Sequence, residues 1–285
     1  MATAPDWLKT KSPDQEKLAT MERLLASLEL NTICESAKCP NAGECFKQNT
    51  ATFLILGENC TRNCQFCAVE QGDLDSPDPK EPSNVLQAVK KLGLEYVVIT
   101  SVTRDDLDDY GAEQFAKTIR EIKEYKADVL VEVLIPDMHN DQEALTKVLE
   151  ANPDVVGHNL ETVPRLYSKA RPEAVYKRSL EVLKSIKKIS PSTVTKSSLI
   201  LGLGEEKEEL IEVFNDLQRV DCDILTLGQY LQPTAKQLEI DRYVPPEEFD
   251  AYKEQALDIG LKEVYAGPLV RSSYHARDVF ENIDN

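Results

Sequence analysis

The sequence predicts an α/β fold, namely a partial (β/α)6 barrel of the TIM type. From residue 51 onward, apolar runs of strand length alternate with segments whose apolar residues recur at helical spacing. The strand segments are almost continuously apolar, which is typical of parallel strands that are buried on both faces. The number of strand–helix repeats favours a barrel or partial barrel over a doubly wound sheet, a choice that the pattern alone leaves open.

The predicted elements follow one another along the chain. An amphipathic helix is expected over residues 16–30, where the apolar residues at helical spacing are Leu18, Met21, Leu24, Leu25 and Leu28. Strands are predicted at 52–56, 96–100, 128–134, 154–159, 193–201, 223–228 and 263–267. Helices are predicted between them at 84–93, 113–123, 143–150, 176–188 and 207–220. The Asp- and Pro-rich segment 71–83 is predicted to be a surface loop.

Composition argues against two broad classes of function. The chain has 285 residues and a formal net charge of −17, from 50 acidic and 33 basic residues. Nucleic-acid binding is not expected, because neutralising phosphates requires a basic face and no long Lys/Arg cluster is present. No apolar run approaches the roughly 20 residues that span a bilayer, and the N-terminal residues resemble neither a secretory signal nor a transit peptide. We therefore expect a cytoplasmic protein that binds no membrane.

The cysteines are unevenly distributed. Seven are present, and six of them lie within residues 34–67. In a reducing compartment such clustering indicates metal binding rather than disulfides. Cys222 stands apart in the apolar segment DCDILTLG. It is predicted to be an ordinary core residue, because a free cysteine packs as a small hydrophobic group.

The strongest chemical signal follows the first strand of the predicted barrel. Cys60, Cys64 and Cys67 form a C-x3-C-x2-C motif. Three thiolates so close in one loop are suited to hold one face of a 4Fe-4S cluster and to leave its fourth iron open. Loops at the C-terminal ends of barrel strands are also where barrel enzymes place their chemistry. Zinc is the alternative, but zinc sites usually add a second Cys or His pair, and none of the three histidines lies near these cysteines.

A second triplet lies upstream of the predicted barrel. Cys34, Cys39 and Cys45 form a C-x4-C-x5-C motif in a segment without the strand–helix rhythm, which indicates an appended module. Three further thiolates predict a second cluster, and a residue elsewhere in the chain has to supply its fourth ligand. A structural cluster or a zinc site is the alternative.

The C-x3-C-x2-C motif, with Phe66 before its last cysteine, resembles the signature of the radical S-adenosylmethionine (SAM) enzymes. In that superfamily SAM binds the open iron of the cluster. The segment SLILGLGE at 198–205 is similar to the superfamily's G-x-I-x-G-x-x-E pattern, except that Ser198 replaces the first glycine. The resemblance implies SAM contacts from Thr100, Ser101, Asn159, Glu161, Arg178 and Ile200. For Arg178, an ordinary surface position is the alternative.

The block RSSYHARD at 271–278 indicates which family within this superfamily the chain resembles. Together with both triplets it is similar to the lipoyl synthase family. Additional matches are PDWLKTK, DDLDDYGA, HNLETVPRLY and GQYLQPT, spread over essentially the whole chain. The resemblance implies that Ser273 ligates an auxiliary 4Fe-4S cluster held by N-terminal and C-terminal extensions. It also implies an N-terminal extension at 1–50, a radical SAM partial barrel at 51–262 and a C-terminal extension at 263–285.

The family's reaction is the insertion of two sulfur atoms at carbons 6 and 8 of a protein-bound octanoyl-lysine, with the auxiliary cluster as sulfur donor. The implied cofactors are two 4Fe-4S clusters and SAM. The implied partners are octanoylated lipoyl carrier domains, namely the acyltransferase subunit of 2-oxoacid dehydrogenases and the glycine-cleavage carrier protein. A flavodoxin or ferredoxin reductant and iron–sulfur assembly proteins are also implied. We expect a monomer.

Three other functions are compatible with parts of the pattern. The nearest is another sulfur-inserting radical SAM enzyme, either a biotin synthase or a methylthiotransferase. The other two are a non-catalytic iron–sulfur electron carrier or sensor, and a zinc-organised adaptor. A barrel-sized fold with an open-site cysteine motif argues against an electron carrier, because an electron carrier needs no cavity for SAM.

Overall fold

The structure of the chain is a computed structural model that describes residues 5–9, 15–36, 39, 41, 44–45 and 52–283. Its strands form a largely parallel α/β sheet that is not closed, in which eight strands follow the order of the sequence. The open, parallel α/β class predicted from the sequence is therefore confirmed. Parts of the predicted N-terminal extension, including residues 46–50, lie outside the described residues, as does the side chain of Leu18.

One compact unit, here called the N-terminal unit, comprises the described residues of Ser12–Asn63 and Ala68–Val156. It begins with α1 (Gln15–Ser27), β1 (Asn31–Thr32) and α2 (Ile33–Ser36). The strand–helix repeats that follow are β2 (Thr52–Ile55), α3 (Glu81–Leu92), β3 (Tyr96–Ser101), α4 (Ala112–Tyr125), β4 (Leu130–Leu134) and α5 (Gln142–Glu150). Strands β2, β3 and β4 pair in parallel, whereas β1 pairs antiparallel with β2. The two-residue β1 is too short to leave a sequence signal, so it was not predicted.

The other compact unit, the C-terminal unit, comprises the described residues of Met1–Lys11, Cys64–Cys67 and Gly157–Asn285. The short strand β5 (Val155–Gly157) ends at Gly157, which is the first residue of the segment Gly157–Asn285. Its remaining elements are α6 (Tyr167–Ala170), α7 (Tyr176–Ile189), β6 (Val194–Leu201), α8 (Lys207–Arg219), β7 (Ile224–Gln229), α9 (Pro246–Ile259), β8 (Glu263–Gly267) and α10 (Ala276–Glu281). Strands β6, β7 and β8 pair in parallel.

All seven predicted strands and all five predicted barrel helices are present, with ends that shift by a few residues. The N-terminal amphipathic helix is also confirmed, since Met21, Leu25 and Leu28 are buried. Helix α9 was missed. Its signals were present: a proline at the first helical position, acidic residues in the first turn and Gly260 at the C-terminal end.

The core of the C-terminal unit explains why the strand segments are so apolar. Leu199 and Leu225 from β6 and β7 are fully buried against Phe214 of α8 and Phe249 of α9. Burial of each such side chain contributes roughly 1.5–3 kcal/mol. Cys222 is buried in the same cluster, which confirms its assignment as a core residue. None of the helices in the described part of the chain is long and apolar enough to cross a bilayer.

Candidate functional site

Cys60 lies in the N-terminal unit, in the loop that follows β2. Its backbone N–H donates to Glu70 O over 3.0 Å. Its sulfur accepts two backbone hydrogen bonds, from Arg62 N at 3.4 Å and from Thr103 N at 3.3 Å. Two backbone N–H groups are therefore directed at this one sulfur.

Cys64 and Cys67 belong to the C-terminal unit. Cys67 N donates to Cys64 O over 3.0 Å, which closes a tight turn. Gln65, one of the two residues between them, donates its N–H to Ala170 O at 2.8 Å, and its carbonyl accepts from Leu238 N at 2.9 Å. Phe66 packs against the apolar core of this unit. This short segment is therefore fixed by backbone bonds on two sides and by an aromatic anchor.

The chemistry of the motif fits an iron–sulfur cluster. All three cysteines are free thiols and all three are partly exposed. Soft thiolate ligands select iron–sulfur clusters or zinc over hard cations. A set of three protein thiolates leaves one corner of a 4Fe-4S cluster without a protein ligand. That open corner is what SAM binding requires.

The upstream triplet is brought together within the N-terminal unit. Cys39 N donates to Cys34 O over 2.9 Å. The pKa of Cys45 is raised to about 12, mainly by burial and in part by the neighbouring thiols of Cys34 and Cys39 and the carboxylate of Glu44. The three thiols are therefore electrostatic neighbours, as a shared ligand set requires. Binding of a metal ion would supply the positive charge needed to form all three thiolates.

Two of the expected SAM contacts lie at the end of β3 in the N-terminal unit. Thr100 donates its hydroxyl to Leu134 O at 3.0 Å. The Ser101 hydroxyl oxygen is buried and has no hydrogen-bond partner within the described residues. A buried hydroxyl without a partner is costly, and a polar ligand would satisfy it. This observation fits a polar ligand at the end of β3.

A second polar group lies in the C-terminal unit, just after β5. Asn159 Nδ2 donates to Glu161 Oε1 at 3.0 Å, and Ile200 N donates to Glu161 O at 2.8 Å. Burial raises the pKa of Glu161, whereas Arg171 and Asn159 act to lower it. The structure thus brings together three of the expected contact residues, which are Asn159, Glu161 and Ile200.

Arg171 joins this group and was not predicted. Its guanidinium Nη1 donates to Asn159 O at 2.8 Å and to Leu160 O at 3.1 Å. Within the described residues, the buried atoms Arg171 Nε and Asn159 Oδ1 have no hydrogen-bond partner. One free donor and one free acceptor in the same buried group suit a ligand with both carboxylate and amine or hydroxyl functions. The only sequence signal was the position of Arg171 in the segment RPEAVYKR.

Arg178, another of the expected contacts, lies in the first turn of α7. It is partly exposed on α7 and donates to Glu173 O at 3.4 Å. Ser273 lies in the C-terminal unit, and the Cys34, Cys39 and Cys45 triplet lies in the N-terminal unit. The residues after Ser273 form an aromatic contact, with the Tyr274 and His275 rings 4.3 Å apart and nearly perpendicular.

The segment SLILGLGE forms the end of β6 and the turn into α8. Gly202 adopts a φ of +99°, in the left-handed region that favours glycine. The Glu205 carboxylate accepts from Gly202 N at 2.6 Å and from Leu203 N at 2.9 Å. Glu205 therefore stabilises the turn itself rather than pointing toward a ligand. The glutamate of the G-x-I-x-G-x-x-E pattern therefore has a structural role in this turn.

Comparison with known proteins identifies the family of the chain. The Radical SAM superfamily profile matches residues 54–217. The chain is 54% identical over 272 residues to "Lipoyl synthase" of Caldanaerobacter subterraneus subsp. tengcongensis, covering 95% of each protein. It is 51% identical to "Lipoyl synthase" of Alkaliphilus metalliredigens, covering 97% of this chain and 96% of that protein.

The chain belongs to the lipoyl synthase family. This family consists of radical SAM sulfurtransferases, so the resemblance inferred from the motifs is confirmed. The superfamily profile covers Cys60, Cys64 and Cys67 but not the upstream triplet or Ser273. The lipoyl synthase relatives match over nearly the whole chain, which extends well beyond that profile.

Solved structures support the fold of this lipoyl synthase family member. The FeFe-hydrogenase maturase HydG from Carboxydothermus hydrogenoformans superposes with a TM-score of 0.63 at 11% identity, covering 96% of this chain and 75% of that chain. Methylornithine synthase (PylB) superposes with a TM-score of 0.53 at 16% identity, covering 90% of this chain and 83% of that chain. At such low identity the likeness concerns the fold alone.

Proposed function

We propose that the chain inserts two sulfur atoms at carbons 6 and 8 of a protein-bound octanoyl-lysine and thereby forms the lipoyl cofactor. The observation that supports this most directly is the paired cysteine triplets in a chain of the lipoyl synthase family. One triplet follows β2, where the Cys60 sulfur accepts two backbone hydrogen bonds. The other lies upstream, where the thiols of Cys34 and Cys39 are near enough to Cys45 to raise its pKa.

In this proposal Cys60, Cys64 and Cys67 hold the 4Fe-4S cluster to which SAM binds. With the cluster and SAM bound, the site supplies reductive cleavage of SAM to methionine and a radical able to remove hydrogen from an unactivated carbon. The chain's own residues bind and orient SAM. Thr100 and Ser101 contribute from β3, and Asn159, Glu161 and Ile200 contribute from the segments after β5 and on β6. Arg178 was assigned with them from the sequence; we propose that Arg171 takes this role instead, because its guanidinium lies beside Asn159 and has a buried N–H donor without a partner in the described residues.

The auxiliary cluster is proposed to be held by Cys34, Cys39, Cys45 and Ser273 and to serve as the sulfur donor. A serine oxygen is a harder ligand than a thiolate and a weaker partner for iron in a cluster. We infer that Ser273 ligates the iron that is lost during turnover. Replacing Ser273 with Cys is then expected to slow sulfur insertion, as measured by mass spectrometry of the product. Undiminished turnover by Ser273→Cys would contradict this role.

The chain's proposed organisation and partners complete the proposal. Residues 1–50 and 263–285 are the extensions that hold the auxiliary cluster, and residues 51–262 form the radical SAM partial barrel. The substrate is an octanoylated lipoyl carrier domain, either the 2-oxoacid dehydrogenase acyltransferase subunit or the glycine-cleavage carrier protein. Flavodoxin or ferredoxin supplies electrons, and iron–sulfur assembly proteins rebuild the auxiliary cluster. We further propose that the enzyme is a cytoplasmic monomer.

The test is an anaerobic incubation of the reconstituted protein with SAM, dithionite and an octanoyl-lysine peptide. Mass spectrometry is expected to show a peptide with two added sulfur atoms, together with 5′-deoxyadenosine. The control is Cys60→Ala, which should form neither product because the SAM cluster lacks a ligand. Formation of 5′-deoxyadenosine by the unmodified chain without sulfur addition would keep the radical SAM assignment and contradict the proposed substrate.

A further inference from the structure

Arg62, between the first two cysteines of the C-x3-C-x2-C motif, has a side chain directed away from solvent. Its guanidinium makes two paired contacts. Nε and Nη2 donate to the Asp105 carboxylate at 2.7 and 2.8 Å. Nη1 and Nη2 donate to the Asp137 carboxylate at 3.0 and 2.7 Å. Only 5% of the Arg62 side chain is exposed, and Asp137 is fully buried. Four charge-assisted bonds fix the guanidinium in one orientation.

The two anchors are rigid in their own right. Asp137 follows β4 and begins a turn in which Met138, His139 and Asn140 all have positive φ angles. The Asp137 carboxylate accepts from His139 N at 3.1 Å, and its carbonyl accepts from Asn140 N at 2.7 Å. Three consecutive left-handed residues are strained and persist only where the surroundings hold them. Asp137 is therefore placed by the fold and does not simply follow Arg62.

Asp105 follows β3 and is tied directly to the cysteine loop. Asp105 N donates to Thr61 Oγ1 at 3.2 Å, and Thr61 N donates to Thr103 O at 3.0 Å. The segments 60–62 and 103–105 are thus joined by backbone and side-chain bonds. From these same segments come the two N–H groups that donate to the sulfur of Cys60.

The three ligand atoms of Asp105, Asp137 and His139 lie within 4.8 Å of one another, which is also the geometry of a cation site. Both carboxylates already bind the Arg62 guanidinium, and burial opposes its charge while the carboxylates raise its pKa above the usual range. The guanidinium thus takes the place that a cation would take. Arg62, Asp105 and Asp137 are here called the Arg62 clamp, because they hold the loop that carries Cys60.

We propose that Arg62 is a positioning residue that holds two backbone N–H groups against Cys60 Sγ and thereby sets the reduction potential of the cluster bound there. The inference rests on the proposed role of Cys60 as a cluster ligand. Hydrogen bonds to a cluster sulfur stabilise negative charge. The reduced cluster has one more negative charge than the oxidised one, so these bonds raise its reduction potential.

Arg62→Lys is the decisive variant, because it keeps the charge and removes the planar fork that binds two carboxylates. It is made in the full chain with Cys34, Cys39 and Cys45 replaced by Ala, so that one cluster is present. A redox titration followed by electron paramagnetic resonance is expected to give a more negative midpoint potential than the same background with Arg62 intact. Iron content is expected to be unchanged. An unchanged or more positive potential would overturn the inference.

Asp137→Asn separates positioning from charge. Loss of a nearby negative charge by itself would raise the reduction potential of the cluster. If Asp137 instead acts by holding Arg62 in place, its replacement weakens the hydrogen bonds to Cys60 Sγ, and we expect a lower reduction potential. The matched control is Asp154→Asn, which removes the same charge from the same unit. Asp154 pairs with Lys123 and Val131 N near the start of β4. The midpoint potential of the cluster in Asp154→Asn should not fall. A higher potential in Asp137→Asn, or an equal fall in the control, would contradict the inference.

Two further measurements distinguish a failure of the cluster assignment from a failure of the role proposed for Arg62. If Arg62→Lys assembles no cluster, Asp105→Asn removes the more exposed anchor, 27% exposed, and gives the same comparison. If replacing Cys60, Cys64 and Cys67 by Ala in this background leaves the iron content unchanged, the proposed cluster assignment fails, whatever the Arg62 variants show. If the iron is lost there but Arg62→Lys and Asp105→Asn leave the potential unchanged, only the role of Arg62 is refuted.

Discussion

At the scale of single residues, the thiol groups differ in their surroundings more than in their chemistry. The pKa of Cys222 is raised to about 12, mainly by burial and in part by the neighbouring Asp223. Cys60 instead accepts hydrogen bonds from two backbone N–H groups. A buried neutral thiol is inert, whereas a thiol that receives N–H donors is prepared to bind metal. The environment thus separates the core residue Cys222 from the proposed ligand Cys60.

Substitutions of Arg171 and Arg178 are expected to affect the affinity for SAM differently. Arg171→Lys is expected to weaken SAM binding about tenfold or more, because a hydrogen bond to a charged group contributes about 1.5–3 kcal/mol. Arg178→Lys is the matched control and should change the affinity less than about twofold, since its guanidinium is partly exposed on α7. Titration calorimetry of SAM into anaerobically reconstituted protein measures both. Equal losses in the two variants would contradict the assignment of Arg171.

At the scale of elements, the turn from β6 into α8 depends on backbone geometry. A Cβ at Gly202 would lie 2.3 Å from Gln229 Nε2 and 2.5 Å from Arg242 O. The Gln229 side chain is itself held, since Nε2 donates to Leu201 O at 3.0 Å and Oε1 accepts from Val244 N at 2.8 Å. The space beside Gly202 is therefore closed by groups that have little freedom to move.

Gly202→Ala is expected to destabilise the iron-free chain by about 2–4 kcal/mol, from left-handed strain plus overpacking. Gly204→Ala is the matched control in the same turn. It has a similar φ of +103°, but its Cβ would meet Asp241 at an ordinary contact distance of 3.6 Å. Its cost should be about 1–2 kcal/mol, from strain alone. Urea unfolding measures both, and equal costs would show that the close approach at Gly202 is relieved without penalty.

The start of β7 contains an ion cluster with a defined pH dependence. Asp223 is buried and contacts the amino groups of Lys187 and Lys262. Its carboxylate also accepts from Thr195 N at 2.7 Å. Burial acts to raise the pKa of Asp223, but the two lysines and the backbone bond outweigh it, so its pKa is lowered.

Asp223→Asn is expected to cost about 3 kcal/mol at neutral pH, because two partly buried ammonium groups lose their partner. A lowered pKa stabilises the fold above the unfolded value and loses this contribution as the pH falls. The difference from the unchanged chain should therefore be constant above about pH 5 and shrink below the ordinary value of 3.8. Asp221→Asn, at a site 69% exposed, is the control and should cost about 1 kcal/mol or less. Urea unfolding as a function of pH tests this, and a difference that grows on acidification would refute it.

At the scale of the whole molecule, the cysteines fall into separate parts of the chain. The upstream triplet and Cys60 belong to the N-terminal unit, and Cys64, Cys67 and Ser273 belong to the C-terminal unit. Each unit has its own parallel strands and its own buried core. The ligand set proposed for the auxiliary cluster therefore draws on distant parts of the sequence, whereas the set proposed for the SAM cluster comes from one short motif.

Iron content measures whether the triplets act independently. The reconstituted chain should contain about eight irons, and replacing either triplet by Ala should leave about four. Cys222→Ala is the control and should leave the iron content unchanged, since Cys222 is 3% exposed within an apolar cluster. Loss of all iron on removal of one triplet would show that the two sites depend on each other. Iron loss in Cys222→Ala would contradict its assignment to the core.

Much of the candidate site was accessible from the sequence. Cys60, Cys64 and Cys67 were recognisable because ligands of one cluster from one loop must be close in sequence. Asn159 and Glu161 were predicted as SAM contacts from the resemblance, at the end of a predicted strand, and the structure places their side chains 3.0 Å apart. Neither Arg171 nor the Arg62 clamp was found. Arg62 lies 43 and 75 residues from the carboxylates that bind it, and no local pattern records such pairs.

The sequence by itself determined the α/β class, the positions of the strands and the family, because apolar periodicity and motif spacing are local properties of the chain. Only the tertiary structure decided which charged groups meet. It paired Arg62 with Asp105 and Asp137, placed Arg171 beside Asn159 and placed Arg178 beside Glu173 O. The physical reason is that burial and hydrogen bonding are set by the contacts between elements. Those contacts depend on how strands order and twist in the sheet rather than on spacing along the chain.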